Sequence, residues 1–237
     1  MNLKINRNQL KYLAIIAMII DHIGWTFVDT LSVGGQIMHF FGRLTGPIMA
    51  FMLYEGYMHT KNVKKYAIRL GIFALVSWPA YSYYETRQIF APQFGVIFTL
   101  FLGLLVLWMW DKSEMKKWLK VLLTVVACLL SLLGDWPIFD ILWPLFLFLY
   151  REEPKKQWTA FSIVIAVEVI LTNLLCIGGA YPYRQVFQIG AFMVVPILMF
   201  CYNGEPGKKN AFNKWFFYIF YPLHLVILSL LAVYVFK

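Results

Sequence analysis

Apolar stretches long enough to cross a membrane follow one another along almost the whole chain, with Lys and Arg gathered in every second gap between them. The hydrocarbon core of a bilayer takes about 20 residues of helix, and no water-soluble core needs so many segments of that length. Windows near 10–28, 36–58, 65–83, 94–110, 118–133, 138–150, 158–177, 186–202 and 215–236 read as about nine spans. The sixth is short and carries Pro144. Apolar residues make up 61% of the sequence, well above the roughly 45–50% of soluble domains. The expected architecture is therefore an all-α polytopic transmembrane bundle.

The basic residues set its orientation. One series of gaps carries Lys4, Arg7 and Lys11; Lys61, Lys64, Lys65 and Arg69; Lys112, Lys116, Lys117 and Lys120; Arg151, Lys155 and Lys156; and Lys208, Lys209 and Lys214. The alternate series offers Arg87, Arg184 and Lys237. The positive-inside rule then predicts a cytoplasmic N-terminus and an extracytoplasmic C-terminus. The net charge of +9 is a topology signal, because its clusters are separated by spans instead of forming one stripe, and no nucleic-acid partner is expected. The first segment has no small-residue cleavage site and contains Asp21 and His22, so it reads as a retained span and not a signal peptide.

Cys128, Cys176 and Cys201 have no metal-ligand spacing and lie in apolar surroundings, which predicts neither a disulfide nor a metal site. Long loops, low-complexity runs and internal repeats are missing from the pattern. Residues 1–237 thus read as a single integral-membrane domain whose site must be built from span residues and short connections.

Ionisable groups inside spans are costly and mark functional positions. Asp21 and His22 lie about seven residues, roughly 10 Å, inside the outer boundary of the first span at 1.5 Å per residue. Arg43 lies equally deep in the descending second span. A carboxylate, an imidazole and a guanidinium at one depth can form a structural ion pair with a bystander histidine, or together bind and polarise a polar substrate. Both readings predict contact. Adjacent helix positions point about 100° apart, so neighbouring numbers do not make Asp21 and His22 a dyad.

At the inner end of the second span, Glu55 is close in depth to His59, Lys64, Lys65 and Arg69, with Asn203 and Lys214 flanking a loop on the same side. Snorkelling accounts for Lys61 and Lys64, whereas Arg69 lies farther into its helix and suits a phosphate or Glu55. Glu168 stands almost alone in the seventh span, and Asp135 and Asp140 read as solvated carboxylates of an outer connection.

Several stretches resemble one family. They are 10–24, closing on Asp21-His22-Ile23-Gly24; 42–60, with Gly42-Arg43 ahead of Pro47 and then Leu53-Tyr54-Glu55-Gly56-Tyr57; 95–103; Gly134-Asp135 leading to Tyr150-Arg151; and 196–225, through Tyr202-Asn203-Gly204 to Tyr221-Pro222-Leu223-His224-Leu225. In this ordered series the chain resembles the TraX family of membrane acetyltransferases over nearly its whole length. It departs from the family pattern at Asp135-Trp136, where a tyrosine and glycine would follow the aspartate.

The resemblance implies transfer of an acetyl group from cytoplasmic acetyl-CoA to an amine, such as a pilin N-terminus, in the inner membrane of a bacterium. It also makes His22 the residue that does the chemistry, in keeping with an unperturbed imidazole pKa of about 6.5, suited to taking an acceptor's proton. Arg43 is then the candidate to stabilise the charge that develops on the carbonyl oxygen, with Asp21 holding Arg43 or His22 in place. Arg69, Lys65 and Lys214 are expected to meet the donor's phosphates, with Asn203, Glu55 and His224 along its path. Two other classes stay open: a transporter with a charged intramembrane pathway, which lacks the paired half-repeats of alternating access, and a non-catalytic scaffold for pilus assembly.

Overall fold

The computed structural model describes residues 4–208 and 211–235, without the side chains of Ala211, Asn213 and Lys214. Ten α-helices, joined by short connections, account for most of them: α1 (Arg7–Phe27), α2 (Val33–Gly42), α3 (Thr45–His59), α4 (Val63–Thr86), α5 (Val96–Lys112), α6 (Lys117–Ser131), α7 (Phe139–Leu149), α8 (Pro154–Leu174), the one-turn α9 (Val194–Pro196) and α10 (Ala211–Tyr234). A 3₁₀ stretch, Val186–Met193, leads into α9, and a π turn, Ile197–Cys201, follows it. Among the described residues three helices are long and apolar enough to cross a membrane: Arg7–Phe27, Pro154–Leu174 and Trp215–Tyr234.

The bundle is apolar on the outside. In α6 the buried residues are Thr124, Ala127 and Ser131, at helical spacing on one face, while Val121, Leu122, Val125, Val126 and Leu129 are exposed. The same distribution recurs on α4, where Ile68, Ile72, Leu75 and Val76 face outward, and on α10 with Ile219, Leu223, Ile227 and Leu230. Helices immersed in lipid need no polar outer face, because their backbone groups are satisfied internally; a water-soluble monomer would not expose so much contiguous apolar surface.

Two expected spans are not regular helices. The 36–58 window is broken between α2 and α3, where Arg43 and Leu44 cap the two pieces. Pro47 has no amide to offer the Arg43 carbonyl one turn back, so the ladder is interrupted there and the chain bends at the arginine. The 186–202 window runs as 3₁₀, α and π in succession around Pro196 for the same reason.

The helix α1 is the central post. Its start is fixed by a capping box, Asn6 accepting from the Gln9 amide and the Gln9 side chain accepting from the Asn6 amide. Its inner face, Leu10, Ala14, Ala17, Met18 and Asp21, is buried against α2, α3 and α10. Of these, α2 with its capping residue Arg43 supplies the partners of Asp21, and α10 supplies that of His22.

Candidate functional site

Two polar constellations grow from consecutive residues of α1. Asp21 turns towards α2: its Oδ1 accepts from Nδ1 of His39 at 2.8 Å, and its Oδ2 accepts from the Arg43 guanidinium. His39 is fully buried, its ring tilted against that of Trp25 with centroids 4.0 Å apart. Arg43 lies over the rings of both Trp136 and Phe187, a setting suited to a weakly hydrated planar cation. Gly42 makes this approach possible, since a Cβ there would lie 2.4 Å from the Asp21 carboxyl.

About 100° round the helix, His22 turns towards α10. Its Nδ1 lies 2.9 Å from Nε2 of His224, whose Nδ1 is 3.0 Å from the Phe220 carbonyl. A carbonyl only accepts, so the His224 Nδ1 carries the proton and its Nε2 accepts. His22 must then donate from Nδ1, and its Nε2 keeps a lone pair. The two rings are held by Phe220 stacked on His224 and by Tyr84 edge-on to His22. The Tyr84 hydroxyl in turn donates to the His22 carbonyl at 3.1 Å.

A cavity lies on each side of this centre. The larger, about 450 Å³, runs between α1, α3, α4, α5 and α10. Arg7, Lys11, His59 and Arg69 stand at its cationic end, Met18, Met49, Met52 and Leu100 along its length, and Phe220 and Tyr221 at its deep end beside His224. The smaller, about 210 Å³, is walled by Asp21, His22, Trp25, Arg43, Tyr81, Tyr84, Glu85 and Asp135. One space thus presents cations and an apolar bore, the other aromatic rings and an excess of carboxylates.

Burial pushes the Asp135 carboxyl up to about 6, opposed by Arg43 and reinforced by Asp21 and Glu85. Relative to an ordinary value of 3.8, the native protein takes up this proton before the unfolded chain does. Stability from this group is therefore present at low pH and is lost as pH rises from about 4 through about 6. Asp135→Asn is expected to flatten that part of the profile, read as the unfolding midpoint in detergent across the window.

Of the groups named from the sequence, Asp21 and Arg43 are in contact, whereas Asp21 pairs with Arg43 and His39 and not with His22. His224 faces His22 at the deep end, away from the cationic mouth. Arg69 lines the mouth and stacks on Tyr66; Lys65 is exposed on α4 and does not line the cavity. Glu55 reaches neither Lys65 nor Arg69, accepting instead from Arg7 at 2.6 Å and from the Tyr202 hydroxyl at 2.9 Å. It pins the start of α1 at the mouth. Asn203 is exposed and accepts from the Glu205 amide, a loop turn away from the cavity, and the Lys214 side chain lies outside the described residues. Asp140 is not solvated but fully buried, accepting from Thr99 at 2.7 Å, and Asp135 walls the smaller cavity. Glu168 is buried in α8. No group of three or more metal-ligating side chains occurs among the described residues. His39 escapes a reading based on Asp21, His22 and Arg43 alone, although its four-residue offset from Arg43 places both on one helical face.

Apolar outer faces around a buried histidine, carboxylate and guanidinium centre define a membrane-type helical protein with an interior polar site. The family profile described as "TraX protein" matches residues 6–232, and the chain belongs to the TraX family. It is 31% identical over 245 residues to "Probable fimbrial assembly protein FimC, serogroup H1" of Dichelobacter nodosus, with 96% of each chain covered. No solved structure matches.

Proposed function

We propose that the protein is a membrane-embedded acetyltransferase that moves an acetyl group from acetyl-CoA, held from the cytoplasmic face, to an amine presented at the outer face. The observation that carries this reading is the His22–His224 pair set between a cationic-mouthed apolar cavity and an acidic aromatic one. The donor's phosphates suit the Arg69 and Lys11 end and its flexible thioester arm suits the apolar bore. The acceptor, a cation at neutral pH, suits the Glu85 and Asp135 side. A relative named for fimbrial assembly supports a pilin-like peptide N-terminus as that amine. In this reading the chain crosses the bacterial inner membrane about nine times with its N-terminus inside, as the basic clusters require.

The residues divide the work. Glu85 and Asp135 attract the ammonium form, which loses one proton to solvent before attack. His22 takes the second proton at Nε2 as the amine nitrogen bonds to the thioester carbon, and returns it to the thiolate when the C–S bond breaks. His224 holds His22 in the tautomer that leaves Nε2 free. Asp21, His39 and Arg43 hold the outer wall in place.

The test is purified protein in detergent or nanodiscs with acetyl-CoA and an amine-terminated peptide, reading free CoA and acetylated peptide. Donor binding with turnover supports the enzyme; absence of donor binding favours a scaffold. Arg69→Ala is expected to weaken donor binding about tenfold, the loss of one charge-assisted contact, with little change in maximal rate. Unchanged donor affinity would move the phosphate site elsewhere on the mouth.

A further inference from the structure

Arg43 is bonded to Asp21 and faces the smaller cavity, so it does not line the space assigned to the thioester. Other donors are present at the deep end of the larger one. Tyr221 is 4% exposed and lines that end, and its hydroxyl has no hydrogen-bond partner. A buried hydroxyl without a partner is costly unless a ligand completes it. The amide of Val96, first residue of the 17-residue α5, lies close to the same hydroxyl. The first amides of a helix lack intrahelical acceptors and carry the positive end of its dipole.

The residue between them explains the arrangement. A Cβ on Gly95 would lie 2.2 Å from the Tyr221 hydroxyl and 3.0 Å from the Tyr81 ring. Tyr221 belongs to the larger cavity and Tyr81 to the smaller. Gly95 thus lets both tyrosines close against the start of α5, with the Tyr221 ring 5.8 Å from that of His224.

We infer that the Tyr221 hydroxyl and the Val96 amide form an oxyanion site that receives the carbonyl oxygen of an acyl thioester entering through the larger cavity. The inference rests on the acyltransferase reading above. As the amine nitrogen bonds to the carbonyl carbon, the C=O π electrons move onto oxygen, where the Tyr221 O–H and Val96 N–H hold them. They return when the C–S bond breaks and the thiolate takes the proton from His22. Tyr221 is thereby a catalytic residue, and Gly95 positions it.

Carbonyl-labelled acetyl-CoA bound to the His22→Ala protein, which does not turn over in this reading, is the probe. Its infrared carbonyl band is expected to shift to lower frequency than in solution, and the shift to disappear in His22→Ala/Tyr221→Phe at equal donor occupancy. In the otherwise native protein, Tyr221→Phe keeps the ring and should lower the rate of CoA release about 10²-fold with donor affinity within twofold. Native turnover and an unchanged band in the Tyr221→Phe proteins, with His22→Ala inactive, would overturn the oxyanion site and leave the acyltransferase standing. Turnover in His22→Ala would remove both.

Discussion

His22→Ala is expected to reduce acetyl transfer by 10²-fold to 10⁴-fold, the usual worth of a positioned general base, while acetyl-CoA binding stays near native. The separation follows from the geometry. His22 walls the smaller cavity and is not part of the lining of the larger one, so its removal takes away the proton acceptor without disturbing the donor's contacts. His224 acts one step back. Its Nε2 accepts from His22 at 2.9 Å, and His224→Ala should lower the rate less and shift its pH profile, because the His22 tautomer is no longer enforced. Rates are read as free CoA and donor affinity by titration calorimetry in the same detergent. Native turnover by the His22→Ala protein would end the catalytic assignment.

That pair also marks the boundary of what residue order can reveal. Depth within an expected span follows from counting, which is why Asp21 and Arg43, placed equally deep in the first two expected spans, could be matched and do meet. Which non-consecutive helix lies beside α1 does not follow from counting. His22 and His224 are 202 positions apart, and α10 reaches α1 only through helix packing. The cationic mouth shows the same limit. Equal depth suggested Arg69 for Glu55, but the neighbouring start of α1 supplies Arg7 at 2.6 Å.

The window at 36–58 was legible as apolar and its break was written there too, in Pro47 three residues beyond Leu44, since a proline cannot serve the carbonyl one turn back. Asp135 was less legible. A carboxylate in a short connection is solvated by default, and here Phe94 and Gly134 pair across a parallel bridge that carries the connection inward beside α5. The family resemblance, by contrast, extended over nearly the whole chain and agrees with the matched range of 6–232.

The other large effect concerns Asp21. Its two oxygens serve His39 and Arg43 in a setting from which water is almost excluded. Asp21→Asn leaves the guanidinium without its counter-charge and turns an amide donor towards a group that can only donate. Breaking a buried ion pair in this way costs about 3–5 kcal/mol, expected as a large fall in the detergent unfolding temperature. Replacing both partners is a different case, because a buried pair can be exchanged for neutral groups of similar volume at little cost. Asp21→Asn/Arg43→Met should therefore recover most of the lost stability. Transfer should not recover with it, since Arg43 walls the cavity that also contains the His22 ring. Recovery of both would reduce the pair to a structural brace, and the histidines alone would then account for the chemistry at this site.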